Sequence, residues 1–474
     1  MTKAQLWQRG FLAVFLLLAG VTALLWAAGY YGHFPVSGTV LLTLWRTAIA
    51  AFLGYAILRR SLTAWILVGM LIGAEIGYDL RFLGKEARER AVADVQVLSQ
   101  IFLRLIKTIV APLIFGTLVV GIAGHSNLKQ VGRMGVKALV YFEVITTLAL
   151  FIGLAAINIS QAGVGISRQE ATAALPSAQP EKAADVILKV FPENIAKAVA
   201  EGQVLQVVVF SIIFAIALAL ISEEKRRPML AFCESLSETM FKFTNIVMYF
   251  APLGVAGAMA YTVGTMGLDV LGNLAKLLAT LYAALIIFLL CVLLPVALIA
   301  RLPLKRFVRA VAEPVSIAFS TASSEAALPR AMESMEGFGV PRQIVAFVLP
   351  TGYTFNLDGS TLYLSLAAIF VAQAAGISLT FKQQLVIVLT LMLTSKGVAG
   401  VPRAMLVILM ATVASFNLPA WPVLIILGVD QLMDMARTAT NVLGNCLASA
   451  VIARWEDALG KETPSETVID AVAQ

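Results

Sequence analysis

Charged residues are scarce in this sequence, and their scarcity excludes a soluble globular protein. Asp, Glu, Lys and Arg make up 13% of the 474 residues, whereas 59% are apolar and the mean hydropathy is +0.88. A soluble chain of this length carries about twice that share of charge to cover its surface. The composition therefore predicts an all-α protein that is integral to a membrane.

Cysteine and histidine are also rare, with three and two residues. The cysteines lie far apart in apolar surroundings, so the sequence predicts neither a disulfide framework nor a metal-binding CxxC pair. No phosphate-binding loop and no nucleophile–base pair stands out, so we expect neither an enzyme nor a resident cofactor. The net charge of +7 is spread over short loops between apolar runs, which argues against a nucleic-acid partner.

Long apolar runs are abundant, and roughly 20 apolar residues in a helix cross the hydrocarbon core of a bilayer. Basic loops on alternate sides place the N-terminus inside and the longest polar connection, 159–203, outside. A mixed-charge loop is predicted at 79–97 and a basic inner turn at 223–228. The spans predicted before residue 311 are about 11–30, 38–58, 62–78, 99–124, 136–158, 204–221, 238–262 and 273–300.

From residue 311 onward, small and polar residues interrupt the apolar segments. One break falls at 320–325 and another at 394–400, and each is followed by the tripeptide Pro-Arg-Ala. Broken backbone at membrane depth survives only inside protein or beside a water-filled cavity, so both segments are predicted to be re-entrant hairpins. Each is followed by an apolar helix with an aspartate, Asp358 or Asp430. Two matching broken segments indicate a transporter site built from inverted repeats.

The last apolar segment carries a stripe of polar residues at steps of three and four, the spacing of one helix face. Such a stripe is costly inside a membrane and usually faces a cavity or pathway. The guanidinium of Arg437 can bind a carboxylate bidentately, and Asp434 suits an ammonium group, so the pair predicts an amino-acid substrate. The alternative is that the two side chains neutralise each other. The stripe comprises Asp430, Asp434, Arg437, Thr438, Asn441 and Asn445.

Three further features have both functional and structural interpretations. Glycine and polar residues at 352–361 predict an unwound turn whose carbonyls and Asp358 suit a hard cation, unless Asp358 is simply satisfied by its neighbours. Ser324 at a hairpin tip is a candidate anion ligand beside a helix N-terminus, whereas Glu325 is a candidate cap. Glu143 is a lone carboxylate in an apolar helix. It is predicted to carry a proton, or else to pair with a neighbouring hydroxyl or Lys.

Four motifs together resemble the dicarboxylate/amino acid:cation symporter family, which includes the glutamate transporters. They lie at 323–329, 356–360, 395–402 and 434–445, and the resemblance runs from about 62 to 455. It implies a glutamate-transporter-like elevator fold, in a homotrimer within the inner membrane of a bacterium. The predicted domains are two extra N-terminal spans (1–61), mainly scaffold and trimerisation helices (62–310, with the span at 136–158 contributing to the transport domain), a transport core (311–455) and a cytoplasmic tail (456–474).

The resemblance also implies site residues by matched position. The substrate would be bound by Ser324, Ser360, Val401, Asp434, Arg437, Thr438 and Asn441. Cations or protons would be held by Gly352, Thr354, Asn356, Asp358, Ser395, Asn441, Asn445, Thr146, Thr147 and Glu143, with Na⁺ at Asn356 and Asp358 as one candidate.

Several positions depart from the pattern of the sodium-coupled members. Asn445 stands where those members commonly carry Asp, Val398 replaces a hydroxyl residue, and Glu143 falls where others have Tyr. Leu364 stands where animal glutamate transporters have a proton-carrying Glu. Ala322 stands where some relatives have an Arg that holds the aspartate of the last helix. With these substitutions the chain resembles the proton-coupled bacterial branch of the family.

The sequence therefore predicts a proton-coupled symporter that transports glutamate and aspartate. The protein itself is predicted to contact membrane lipid. The alternatives are a C4-dicarboxylate symporter, which would not need Asp434, and a sodium-coupled glutamate or aspartate symporter. An anion channel and a substrate sensor are alternatives from other classes.

Overall fold

A computed structural model describes residues 3–30, 37–123, 128–166, 191–201, 204–395 and 404–460. Within these residues the regular structure is helical, without a strand. The helices are α1 (Lys3–Tyr30), α2 (Gly38–Arg59), α3 (Leu62–Leu80), α4 (Lys85–Ala123), α5 (Leu128–Ser160), α6 (Ile195–Ala200), α7 (Val204–Leu220), α8 (Glu223–Met248), α9 (Ala251–Met266), α10 (Asp269–Phe288), α11 (Leu294–Ile299), α12 (Leu304–Thr321), α13 (Ser324–Phe338), α14 (Arg342–Phe355), α15 (Asp358–Ala374), α16 (Phe381–Thr394), α17 (Ala404–Ser415) and α18 (Trp421–Trp455).

Six helical stretches of the described chain are long and apolar enough to cross a membrane, so the all-α, multi-span prediction is confirmed. A seventh would be formed by α8 and α9 together, which are bent by 50°. The apolar parts of α4 and α7 are shorter. The six stretches are Leu6–Gly29, Gly38–Arg59, Leu62–Leu80, Gly135–Ser160, Asp269–Ile299 and Arg342–Ala374.

Three predicted boundaries are wrong. The mixed-charge loop at 79–97 is mostly helical, because α4 begins at Lys85 and Glu, Lys, Arg and Ala are strong helix formers whether or not they are buried. The basic turn at 223–228 is the first part of α8, whose two leading glutamates suit a helix N-terminus. The single span at 238–262 is two helices, because Pro252 near the start of α9 cannot continue the hydrogen bonding of α8.

The chain divides into two compact units, and the first comprises Met1–Leu105, Asn245–Leu271 and Leu427–Gln431. In this unit α1 packs on α2, and α3 packs on α2 and on α9. Arg46 of α2 lies 2.6 Å from both Glu75 and Asp79 of α3. Ionisable groups within a span are costly and tend to pair with one another, and this network joins α2 to α3.

The contact between α3 and α9 depends on glycine. Gly69, Gly73 and Gly77 recur at every fourth position of α3, and each lies directly against a backbone carbonyl of α9. A Cβ atom at Gly73 would collide with the carbonyl oxygen of Ala256. Small residues at this spacing allow close packing of helices in a membrane.

Replacing Gly73 with valine is therefore expected to destabilise the protein by about 1–3 kcal/mol, because the added atoms overpack the contact. The measurement is thermal unfolding of detergent-solubilised protein, with gel filtration as the readout of the fraction that remains folded. Gly20→Val is the matched control, because no neighbouring atom lies within 4 Å of a Cβ at that position. Equal melting temperatures for the two variants would contradict the expectation.

The second unit comprises Ile106–Thr244, Gly272–Ile426 and Leu432–Gln474. In it α5 runs along α15, where Gly153 lies against the backbone carbonyl of Leu362. The helices α12 and α13 pack against each other as a helix–turn–helix. The division of the chain into scaffold and transport core stays a prediction.

The first predicted hairpin break is present as a turn between α12 and α13. Ala322 adopts the left-handed conformation (φ 52°), and the Ser323 hydroxyl accepts a hydrogen bond from the Ala326 N–H (3.2 Å). The N-cap is therefore Ser323, and the cap interpretation of Glu325 is wrong. That this hairpin is re-entrant stays a prediction. The second hairpin turn lies outside the described residues, although its flanking helices α16 and α17 are described.

Candidate functional site

The candidate site is built where the break between α14 and α15 meets α18, in the second unit. Asn356 and Leu357 leave the helical conformation, with φ values of −125° and −96°. The predicted unwound turn is thus present. Asn and Asp side chains compete with the backbone for hydrogen bonds, which favours such a break. Asp358 follows directly, is fully buried, and its Oδ2 accepts a hydrogen bond from Asn356 Nδ2 (3.3 Å).

Two glycines allow this turn and α18 to approach each other closely. A Cβ at Gly352 would collide with Asn445 Oδ1, and a Cβ at Gly444 would collide with Asp358 Oδ2. The side chains of Asn445 and Asp358 therefore occupy the space that a side chain at Gly352 or Gly444 would need. Gly352 was predicted as a site residue, whereas Gly444 was not, because a glycine inside an apolar helix is not by itself a functional signal.

Asn445 joins the two elements through its side-chain amide. Its Nδ2 donates to the backbone carbonyls of Asn356 (3.1 Å) and Asn441 (2.9 Å), and its Oδ1 accepts from Asn356 Nδ2 (3.2 Å). Both carbonyls that converge on this point are thus occupied by N–H donors. A sodium ion at Asn445 would compete with this amide for the same oxygens.

The oxygens of Asn356 and Asp358 fit a hard cation better. Asn356 Oδ1 is buried and has no hydrogen-bond partner among the residues that the structure describes. It belongs to the same turn as the Asp358 carboxylate, and amide and carboxylate oxygens are the ligands that hard cations prefer. No group of three or more His, Cys, Asp and Glu that could hold a metal lies within the described residues.

Asn441 and Ser360 form a reciprocal pair between α18 and α15. Asn441 Nδ2 donates to Ser360 Oγ (2.8 Å), and the Ser360 N–H donates to Asn441 Oδ1 (3.2 Å). Both residues are buried. The pair fixes the register of the two helices beside the polar stripe.

Arg437 and Asp434 lie at the centre of the stripe. Arg437 is 0% exposed, and its Nε donates to Asp434 Oδ1 (2.9 Å), which also accepts from the Thr438 hydroxyl (3.2 Å). The guanidinium lies 4.1 Å from the centre of the Tyr363 ring, a cation–π contact. Tyr363 was not predicted, since an aromatic residue in an apolar helix resembles ordinary core. Its spacing of three from Ser360 was the available signal.

Other predicted residues lie apart from these contacts. Ser324 is buried at the hairpin tip, and its hydroxyl makes no hydrogen bond with a described residue. Ser395 is buried, with its hydroxyl 3.5 Å from the carbonyl of Met392. Asp430 is fully buried on α18. Val401 lies outside the described residues, as does the side chain of Thr354.

The predicted residues of α5 differ in their environments. Thr146 is buried and donates to the carbonyl of Phe142 in its own helix (2.7 Å). Thr147 lies 3.5 Å from Met392 Sδ of α16, the helix before the predicted second hairpin turn. Glu143 is half-buried. Their roles stay predictions.

Comparison with known proteins identifies the family. Residues 62–455 match the model of the sodium:dicarboxylate symporter family, which confirms the predicted extent of the resemblance. The chain is similar to the proton/glutamate-aspartate symporter of Escherichia coli (strain K12), with 43% identity over 84% of this chain and 94% of that protein. It is similar to the proton/sodium-glutamate symport protein of Bacillus caldotenax, with 40% identity over 85% of this chain and 97% of that protein.

A third relative is named for another substrate. The chain is 38% identical to the C4-dicarboxylate transport protein of Laribacter hongkongensis (strain HLHK9), over 85% of this chain and 92% of that protein. The family and these relatives are transporters. The family match and the apolar helices together confirm the predicted multi-pass location in a bacterial inner membrane. The chain therefore belongs to the sodium:dicarboxylate symporter family.

Proposed function

We propose that this chain is a secondary active symporter that takes up glutamate and aspartate together with protons. The observation that carries the proposal is the buried pair of Asp434 and Arg437, 2.9 Å apart on one helix face. An amino acid presents an ammonium group and a carboxylate, and these match the two side chains in charge. Thr438 and Asn441 on the same face supply the further polar groups.

Charge balance favours coupling to a cation. Arg437 and Asp434 together are neutral, so a bound glutamate, with one excess negative charge, would leave the site negative. The buried Asp358 adds a further carboxylate. Uncompensated charge is expensive in a membrane interior, so a cation that travels with the substrate stabilises the loaded carrier.

A C4-dicarboxylate is the second candidate, favoured by the likeness to the Laribacter hongkongensis protein. Such a substrate carries two negative charges and no ammonium group. Arg437 offsets the charge of Asp434, so a bound dianion would leave two uncompensated negative charges beside a residue that is only 5% exposed, where water screens their repulsion little. This repulsion makes the amino acid the better match.

The proton is proposed as the coupling ion because of Asn445. Its amide N–H groups occupy the carbonyl oxygens of Asn356 and Asn441, where a sodium ion would need ligands. Glu143, which is half-buried, remains the candidate proton carrier. The elevator movement, the homotrimer and the absence of enzymatic activity and of a resident cofactor are proposed from family membership alone.

The test is uptake of labelled glutamate by purified protein in liposomes under an imposed proton gradient or an imposed sodium gradient. Uptake is expected to follow the proton gradient and to persist when sodium is replaced by choline. Uptake that requires sodium and ignores the proton gradient would refute proton coupling while leaving the substrate assignment intact.

The same assay tests the role of Asn445. Asn445→Asp removes two donor bonds and adds a carboxylate, so we expect proton-driven uptake to fall by about 5- to 150-fold, equivalent to the loss of two hydrogen bonds. Sodium is expected to restore part of the rate. Asn445→Ala is the control, because it frees the same carbonyls without adding charge. An Asn445→Asp variant that ignores sodium would contradict the idea that the amide takes the place of a cation.

A further inference from the structure

A basic pocket lies at the foot of the first hairpin, away from the candidate transport site. It has a volume of about 490 Å³ and is lined by Pro303, Leu304, Lys305, Arg306 and Arg309. It follows directly after the span Asp269–Ile299, and the positive-inside rule places these cations on the cytoplasmic side. The pocket therefore lies at the depth of the lipid headgroups.

Within the part of the chain that the structure describes, no carboxylate is ion-paired with the cations of this pocket. Lys305 and Arg309 lie one helical turn apart, are exposed, and make no ion pair with any residue that the structure describes. Arg306 is held in place, because its Nη2 donates to the Gly337 carbonyl (3.1 Å) and its guanidinium lies 5.5 Å from the centre of the Phe338 ring. Neither contact cancels its charge.

Two acidic residues further along the hairpin, Glu313 and Glu333, share another partner. Arg330 binds Glu313 and Glu333, each at 2.7 Å. These carboxylates are thus engaged with Arg330. Lys305, Arg306 and Arg309 line the pocket without a carboxylate in its lining, and this positive charge attracts an anion.

Apolar side chains are exposed beside the cations. Val308, between Lys305 and Arg309, is 61% exposed, and Leu298 and Ile299 at the end of the preceding span are 55% and 82% exposed. A free phosphate gains nothing from such surface. An amphipathic ligand gains from both, because its phosphate meets the cations and its acyl chains meet the apolar side chains.

We propose that this pocket binds the headgroup of an anionic phospholipid of the cytoplasmic leaflet. Lys305, Arg306 and Arg309 hold the phosphate, and the acyl chains lie along Val308, Leu298 and Ile299. The proposal does not depend on the transported substrate or on the coupling ion.

The position of Arg306 gives such a lipid a structural consequence. Arg306 lies in the first turn of α12 and donates to a carbonyl near the end of α13, so it joins the feet of the two hairpin arms. A phosphate beside it adds a second charged partner at the same point. Bound lipid is therefore expected to raise the melting temperature of the protein.

The experiment is native mass spectrometry of the purified full-length protein, with phosphatidylglycerol and the zwitterionic phosphatidylcholine as probes. Wild-type protein is expected to retain phosphatidylglycerol in preference to phosphatidylcholine. The double variant Lys305→Gln/Arg309→Gln is expected to bind phosphatidylglycerol about 30-fold more weakly. The charge-retaining double variant Lys305→Arg/Arg309→Lys is expected to bind it like wild type.

Lys225→Gln/Arg227→Gln is the matched control, since it removes two exposed charges from the predicted inner side and is expected to leave binding unchanged. Equal weakening by both neutralised double variants would overturn the proposal in favour of diffuse attraction. Displacement of the lipid by inorganic phosphate at equal concentration would overturn it in favour of a free-anion site. Equal retention of the two lipids by wild-type protein would also overturn it.

Discussion

Replacing Arg437 with lysine is expected to reduce glutamate uptake about 30- to 150-fold while leaving the protein folded. Lysine keeps the positive charge, but it loses the planar fork that binds a carboxylate and stacks on an aromatic ring. In this protein the guanidinium is 0% exposed, donates to Asp434 and stacks on Tyr363, so a compact ammonium group cannot reproduce its contacts. The loss corresponds to about 2–3 kcal/mol.

The measurement is initial uptake by equal amounts of reconstituted protein, with gel filtration as the check on folding. Arg330→Lys is the matched control, because Arg330 is also ion-paired but lies 46% exposed, where a salt bridge contributes at most about 1 kcal/mol. It is expected to transport within about twofold of wild type. An Arg437→Lys variant that transports at the control's rate would refute a substrate-binding role for the guanidinium.

Replacing Asp434 with serine is expected to separate amino-acid binding from dicarboxylate binding. Glutamate loses the partner of its ammonium group, and its affinity is expected to fall about 100-fold, within the cost of truncating one partner of a buried charge pair between two molecules. The change also leaves Arg437 without the carboxylate that lies 2.9 Å away, which makes the site more positive. Succinate affinity is therefore expected to hold or to rise.

Binding of glutamate and succinate to the detergent-solubilised protein, measured by calorimetry, checks this expectation without requiring transport. Asp94→Ser is the matched control, since it removes an exposed carboxylate from α4. It should alter neither affinity. Equal losses of glutamate and succinate binding in the Asp434→Ser variant would rule out the ammonium role, and the C4-dicarboxylate candidate would then be preferred.

The polar stripe shows how much of the candidate site can be predicted from the sequence. Residues three and four apart on a helix must share a face, so spacing alone predicts that Asp434, Arg437 and Asn441 act together. The structure places their side chains in one buried region, and it adds the contact between Asp434 and Arg437. The sequence left the mutual neutralisation of this pair open, and in the structure the two side chains are bonded to each other.

Contacts between distant segments were beyond the sequence. The amide of Asn445 reaches the carbonyl of Asn356 only because α18 packs against the break between α14 and α15. Tyr363 gains its importance from the guanidinium above its ring, and nothing in an apolar helix marks one aromatic residue as special. Both contacts depend on tertiary approach, on which local periodicity has no bearing.

The helix boundaries failed for a different reason. A polar stretch between apolar runs predicts a loop, yet α4 begins in a charged stretch at Lys85 and α8 begins at Glu223. Charged residues with long side chains favour helix as strongly as most apolar ones do. Apolar runs therefore do not mark the ends of helices that continue into charged residues.

The amide of Asn445 bears on how steeply this carrier can concentrate its substrate. A side-chain N–H group stays with the protein through every transport cycle, whereas an ion at the same carbonyls would be carried across and released. Under the proposed mechanism, this position contributes nothing to the energy drawn from the membrane potential. One charge moved across 100 mV is worth about 2.3 kcal/mol, or about 50-fold in the attainable concentration ratio. The carrier would give up that factor and gain uptake that does not depend on sodium outside the cell.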